Sequence, residues 1–292
     1  MKPNRPTPDQ IRTAAAELSA RQPAYAPLLD FYGEVFVAQE QSREHLEIPS
    51  VEIPDELLRI KAGEHMPLLA VSDFQIDRAR SEHLLMEICG LAKSLGSTLA
   101  PAARKIEAAL KEGRIDAGTL FSALIERDGL DMEPLAHASG VEGEPLAFFT
   151  YHSIRPSLCH CAERLEPFLD TGTPGRGICP VCGSPPVLSV LKEAGARFLI
   201  CGFCWQEWSV QRLFCPSCET TEGSLLHHFF DESDPLCRVD LCDKCRKFIK
   251  TADARNRSRL FYPPLEQVST LHLDIRAREM GYVSAADPVF RI

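Results

Sequence analysis

Four Cys-x-x-Cys pairs fall within 67 residues of this chain: Cys179/Cys182, Cys201/Cys204, Cys215/Cys218 and Cys242/Cys245. Each pair places two thiols on one tight turn, near enough to hold the same metal ion. A tetrahedral four-thiolate site needs two such turns face to face. Four turns therefore supply two complete sites with no thiol left over, which is far more specific than one isolated pair. The competing use of cysteine is the structural disulfide. The first ten residues include Lys2, Arg5 and three prolines but no apolar core segment, so no secretory leader is expected. A chain kept in a reducing compartment holds its thiols reduced, and paired reduced thiols bind metal. A cytoplasmic location is the expectation. No run of about 18 apolar residues occurs, so no membrane insertion is expected either.

Cysteine is confined to one half of the chain. Of 12 cysteines in 292 residues, only Cys89 precedes residue 159, and it sits in an apolar stretch as a small buried hydrophobe. Charge divides along the same line. Residues 1–171 carry 17 Lys/Arg and 27 Asp/Glu, and the remainder carries 15 and 14. Neither half offers the basic surface that nucleic acid requires, so no nucleic-acid partner is expected.

The first half reads as helix. Thr7-Pro8-Asp9 has the order N-cap, first-turn proline, first-turn acid. Leu29, Tyr32, Val35 and Phe36 recur at helical spacing. Further helices are expected from Asp55, from about Asp73 to Leu95 with Gly96 as C-cap, beyond Ser97 or Thr98, and from Asp116 to a stop at Asp128-Gly129. A last helix is expected from Glu144 to Phe168, with Pro156 inside it. His65, His83 and His137 lack a partner at ligand spacing, and no nucleotide loop, Ser/His/Asp set or His-Glu-x-x-His motif occurs. Cys159 and Cys161 stand two apart on a helix, where side chains diverge, and are expected to pack.

Residues 170–177 are polar and turn-rich, a linker. Cys179-Pro-Val-Cys-Gly183 then has the pattern of a rubredoxin or zinc-ribbon knuckle, with Gly183 free to adopt positive φ. A hairpin of 186–191 and 197–200, turning at 192–195, carries this knuckle to Cys201 and Cys204. The pattern repeats: an aromatic-rich strand over 205–213, the knuckle Cys215/Cys218, strands 224–230 and 237–241, and the knuckle Cys242/Cys245. Sequential pairing of the knuckles is expected, and interleaved pairing, first with third, is the alternative. His227, His228 and Cys237 lie away from the turns and are expected to pack or face solvent. Trp205 and Trp208 are expected to cover the sites. After Pro263-Pro264 a single helix is expected, with Leu265, Val268, Leu271 and Ile275 on its apolar face and His272 and Asp274 towards solvent.

The fold class expected is therefore multidomain α+β: an acidic helical bundle (1–171), two small four-cysteine ribbons (172–210 and 211–262) and a C-terminal helix (263–292) packed on the rest. The metal is iron or zinc, two ions per chain, with Cys179, Cys182, Cys201 and Cys204 in one site and Cys215, Cys218, Cys242 and Cys245 in the other. Sites closed by four cysteines have no open position for hydrolytic chemistry, and no catalytic constellation is found, so the chain is not expected to be an enzyme.

The knuckles together with Arg238-Val-Asp-Leu-Cys-Asp-Lys-Cys245, Lys250-Thr251 and Thr270-Leu-His-Leu-Asp274 resemble the formate dehydrogenase accessory proteins of the FdhE family, over nearly the whole chain. The resemblance implies a cytoplasmic assembly factor that binds the catalytic subunit of a molybdenum- or tungsten-containing formate dehydrogenase. It would promote that enzyme's maturation before export without remaining in it. It also implies rubredoxin-like sites able to hold iron. The alternatives are a rubredoxin-like electron carrier and a nucleic-acid-binding zinc ribbon.

Overall fold

A computed structural model describes residues 5–49, 53–126, 132–169, 175–232, 234–255 and 259–286. The expected stop at Asp128-Gly129 and the linker residues 170–174, with the domain border at 171, lie outside the described residues. The chain divides into two compact units, Met1–Val51 with Val71–Cys161, and Glu52–Ala70 with Ala162–Ile292.

The first unit is helical. Its elements are α1 (Pro8–Arg21), α2 (Ala26–Arg43), α4 (Arg78–Ser94), α5 (Ala100–Lys111), α6 (Ala117–Ile125), α7 (Met132–Ser139) and most of α8 (Gly143–Leu165); α3 (Asp55–Gly63) groups with the second unit. The caps follow from local sequence. Thr7 and Gln10 form a reciprocal capping box at the start of α1, and Asp77 caps α4 by accepting from Arg80 N. Gly96 takes φ +64° just beyond α4. Asp116 accepts from Thr119 N at 2.8 Å, and that bond leads the causes holding its carboxyl below the usual range. Asp116→Ala is expected to cost about 1 kcal/mol. Because the folded carboxyl is depressed, its contribution is present above the unfolded pKa and fades as pH falls through the folded one. A pH series of thermal melts that does not converge with wild type in acid would contradict this.

Helix α8 is buried from Leu146 to Cys159 except at Phe148, so it has no polar face to signal its period. Several of its polar groups bond within the helical unit. Gln39 Nε2 donates to His152 O at 2.7 Å, and Arg155 Nη1 donates to Gln39 Oε1 at 2.6 Å. Burial first, and the nearby Arg155 cation second, keep His152 neutral with a pKa well below the ordinary value.

The second unit is built on one seven-stranded sheet: β1 (Pro186–Leu191), β2 (Arg197–Cys201), β3 (Glu207–Val210), β4 (Leu226–Asp231), β5 (Asp234–Cys242), β6 (Lys247–Asp253) and β7 (Val283–Ser284). The order is β3-β2-β1-β6-β5-β4, with β7 also on β6. The expected hairpins are present as antiparallel β1–β2 and β4–β5 pairs. The α+β fold class holds. The sequence reading did not see β6, which pairs parallel with β1 and antiparallel with β5 and so joins both ribbons in one sheet. The borders expected at 210 and 262 thus bound stretches of a shared sheet.

One sheet face is covered by the tail. Cys237, Val239, Leu241, Phe248 and Ala252 pack against Leu273, Ala277 and Tyr282. The tail is two helices, α9 (Pro263–Ser269) and α10 (Leu271–Glu279), where one was expected. The break sits where two helix carbonyls are bonded elsewhere. Thr270 Oγ1 takes the Glu266 carbonyl at 2.6 Å and Lys250 Nζ takes the Gln267 carbonyl at 3.0 Å, so both are drawn away from the helical ladder. The break rotates the apolar face. Ile275, expected in the core, is 55% exposed, while Leu273 and Ala277 are buried. Asp274, expected in solvent, pairs with the buried Lys250 ammonium at 2.5 Å. On the opposite face Arg197 donates to Ser189 Oγ, to Phe214 O and to Asp240 Oδ2, and Thr251 donates to that same Asp240 oxygen. This buried polar ladder crosses β2, β1, β6 and β5.

Candidate metal centres

The eight knuckle cysteines gather into two clusters, Cys179/Cys182/Cys201/Cys204 and Cys215/Cys218/Cys242/Cys245, and within each the four Sγ atoms lie within 4.8 Å of one another. The knuckles thus pair sequentially, and the interleaved alternative does not occur. Sγ separations are 3.7 Å (Cys179–Cys204), 3.4 Å (Cys182–Cys201) and 3.6 Å (Cys182–Cys204) in the first cluster. They are 3.7 Å (Cys215–Cys245) and 3.6 Å (Cys218–Cys242) in the second. A tetrahedron with metal–sulfur bonds of about 2.3 Å has edges of about 3.8 Å, so both clusters fit a single ion. Such a closed all-sulfur donor set suits zinc or a single iron.

The hairpins bring the ligands together. Cys201 ends β2 and Cys242 ends β5, while Cys179/Cys182 precede β1 and Cys215/Cys218 precede β4. All four turns share one conformation: the residue after the second cysteine is left-handed, at Gly183 (φ +71°), Trp205 (+61°), Glu219 (+56°) and Arg246 (+56°). Only the first is glycine, and the other three hold a conformation costing about 1–2 kcal/mol. Their N–H groups close the turns, from Gly183 to Cys179 O, Glu219 to Cys215 O and Arg246 to Cys242 O, at 2.8–2.9 Å. Backbone N–H groups also point at sulfur, from Phe203 at 3.3 Å and Cys204 at 3.4 Å to Cys201 Sγ. Such donors stabilise thiolate charge. Sequence reasoning found this device at Gly183 alone, because Trp, Glu and Arg do not announce positive φ.

Four adjacent thiols cannot all ionise without a cation. Burial first, and the neighbouring sulfurs next, push Cys179 and Cys204 well up. Burial works upward on Cys182 too, but hydrogen bonds from Cys179, Cys201, Cys204 and Ser184 together outweigh it and hold that thiol well below its ordinary value. A bound cation would take the place of the thiol protons.

The two centres differ in exposure. All four cysteines of the first are buried, whereas Cys218 and Cys245 of the second are half-buried. Leu68 N and Leu69 N add a short ladder to the first knuckle through Pro180 O and Val181 O, at 3.0 and 2.9 Å. This explains why residues 53–70, expected in the helical half, group with the sheet. Other candidate ligands stay outside both clusters. His227 is exposed and its Nε2 meets Asp243 Oδ2 at 3.0 Å, His228 is exposed, and Cys237 lies in the sheet core. Cys161 Sγ lies 3.4 Å from Gln75 O, and burial pushes the Cys89 thiol up to about 12. Trp208 Nε1 donates to Arg176 O at 2.9 Å, and Trp205 packs on Val187, Leu188, Val190 and Ile200.

Gly177 sits against the third knuckle, its N–H donating to Glu219 Oε1 at 3.0 Å. A Cβ there would stand 1.9 Å from Pro216 O. Gly177→Ala is expected to displace that knuckle, lower stability by about 1–3 kcal/mol and release the second metal before the first. Unchanged melting and unchanged metal content would refute this.

Fold and clusters together define a protein with a helical unit and a single sheet bearing two four-cysteine clusters placed to hold metal ions. Residues 178–212 match the family model for the FdhE central domain. An FdhE homologue from Aquifex aeolicus is 30% identical over 149 residues, 50% of this chain and 52% of the relative. The FdhE protein of Escherichia coli O1:K1 / APEC is 31% identical over 114 residues, 38% of this chain and 36% of the relative. The matched stretches thus span about half or less of these relatives. The crystal structure of the FdhE protein from Pseudomonas aeruginosa superposes with a TM-score of 0.64 over 99% of this chain and 97% of that one, at 20% identity, which shows a shared fold. The resemblance to the FdhE family read from the motifs is borne out.

Proposed function

We propose that this chain is a cytoplasmic accessory factor that binds the catalytic subunit of a formate dehydrogenase and promotes its maturation, with no turnover of its own. The observation that carries the reading is the FdhE match at residues 178–212, which begins one residue before the first knuckle and contains the whole of the first cluster. In this reading the eight cysteines hold two ions, iron or zinc, that fix the shape of the sheet. The stretches 1–171, 172–210, 211–262 and 263–292 act as an acidic steering part, two rigid ribbons and a bracing tail. Charge steering raises association rates and weakens with salt. Among the described residues no helix is long and apolar enough to cross a membrane.

The test is a deletion strain and a pull-down. Loss of the gene is expected to lower cellular formate dehydrogenase activity at least several-fold, while enzyme already matured keeps working. The tagged chain should retain the catalytic subunit, with an association rate that drops as ionic strength rises. Normal activity without the gene, together with no co-purification, would sink the reading.

One observation favours a second reading, a rubredoxin-like electron carrier: the half-buried Cys218 and Cys245 bring the second centre to the surface. Anaerobic purification with metal analysis and a visible spectrum separates the two. A reversible thiolate-to-iron band supports the carrier, and two colourless zinc ions per chain remove it.

A further inference from the structure

Lys250 is a buried cation outside both metal centres. It lies in the middle of β6, 4% exposed, between the α9–α10 break and the start of β1. Its ammonium has three donors. One goes to Gln267 O at 3.0 Å and one to Asp274 Oδ2 at 2.5 Å. The third has no partner among the described residues. Burial lowers its pKa, and the Asp274 carboxylate offsets part of that.

This ammonium lines a cavity of about 240 Å³. The walls are mostly apolar, formed by Val187, Phe248, Leu271, Ile275 and Ala286. Arg278, exposed one turn beyond Asp274, lines the cavity too and has no ion pair among the described residues. The fixed charges are therefore two cations against one carboxylate. A charge-assisted bond to an anion is the strong way to use that donor. An apolar cavity of about 150 Å³ is enough to hold benzene. The same wall explains two misreadings of the tail: Ile275 is exposed because it edges the opening, and Asp274 is turned inward because it holds Lys250.

We propose that this cavity binds a monocarboxylate with a short apolar body, the carboxylate received by Lys250 Nζ and Arg278 and the body lodged against Leu271, Ile275 and Val187. A free organic acid and the C-terminal carboxylate of a peptide offer the same chemistry. The inference stands on the cavity alone and does not depend on the formate dehydrogenase reading.

The test uses the full, metal-loaded chain, titrated with benzoate, with benzamide as its uncharged analogue, and with one apolar pentapeptide carrying either a free or an amidated C-terminus. Binding is read by calorimetry and by chemical shifts. Saturable one-site binding of benzoate, with benzamide at least ten-fold weaker, assigns a free acid. Saturation only by the free-terminus peptide assigns a peptide terminus. Arg278→Gln, an exposed change, is expected to weaken the acid about ten-fold. The pair Lys250→Met with Asp274→Leu replaces a buried ion pair by apolar groups, a change that folds commonly tolerate. It is expected to abolish saturation with both metals and the circular dichroism retained. No saturation by any carboxylate, equal binding of benzamide, or undiminished binding in both variants overturns the assignment.

Discussion

Stripping the metal from a loaded chain is expected to melt the sheet unit and leave the helical spectrum largely in place. The two clusters tie together β1, β2, β4, β5 and β6, and a structural zinc contributes on the order of 10–16 kcal/mol of apparent free energy. A domain's whole stability is about 5–15 kcal/mol, so the sheet cannot outlast its ions. The helical unit holds its own core, including Ile11, Leu29, Phe36, Leu84, Ile88 and Phe149. Proton competition fixes the pH sense. Because burial raises Cys179, Cys204 and Cys215, protons compete harder for these sulfurs as pH falls, and a given chelator should act faster at pH 6 than at pH 8. Cys201→Ser, within the fully buried centre, should be more damaging than Cys218→Ser, whose side chain reaches solvent. Amide exchange resolves the outcome residue by residue. Sheet protection that persists in a verified metal-free sample would show that the ions are incidental to the fold.

The second large effect is expected at an ion pair far less visible in sequence. Arg259 and Glu266 meet in a bidentate pair at 2.5 and 2.9 Å, with side chains only 3% and 1% exposed. Burying the pair is not in itself strong evidence of net stabilisation, since desolvation offsets much of the attraction. Removing one partner is another matter. Arg259→Leu leaves a buried carboxylate without its cation and is expected to cost about 3–5 kcal/mol. The double change Arg259→Leu with Glu266→Leu should recover most of that loss. A double-mutant cycle in denaturant measures it, and a single variant within 1 kcal/mol of wild type would contradict the burial argument.

How much of this could be read in advance depended on whether a residue's partner was near in sequence. The knuckles and the hairpins that align them were legible because each is a short local pattern. So were the caps at Thr7, Asp116 and Gly96. Strand β6 was not. Its interior carries Lys250, which breaks apolar alternation, and the reason for a buried lysine there is Asp274, on a helix 24 residues later. The same long-range pair turned the tail around. Periodicity assumed one unbroken helix and aimed Ile275 inward, whereas the carbonyls of Glu266 and Gln267 were committed elsewhere. Helix α7 also went unread, being eight residues long with little apolar repeat. Residues 53–70 read as part of the bundle because α3 is a helix; their attachment to Pro180 and Val181 runs through backbone atoms, which leave no trace in side-chain pattern.

The placement of β6 beside β1 has a consequence for how the chain is made. On a ribosome the first hairpin and its four cysteines emerge complete, yet β1 meets its parallel neighbour only after the whole second ribbon has followed. At about 5–20 residues per second, the roughly 60 intervening residues keep that strand waiting for several seconds. A bare β edge is a template for the wrong partner, another nascent chain included. Supply of the second ion then sets how long the edge stays open. A cell short of metal should accordingly lose this protein to aggregation or proteolysis during synthesis, instead of accumulating a pool with one site filled.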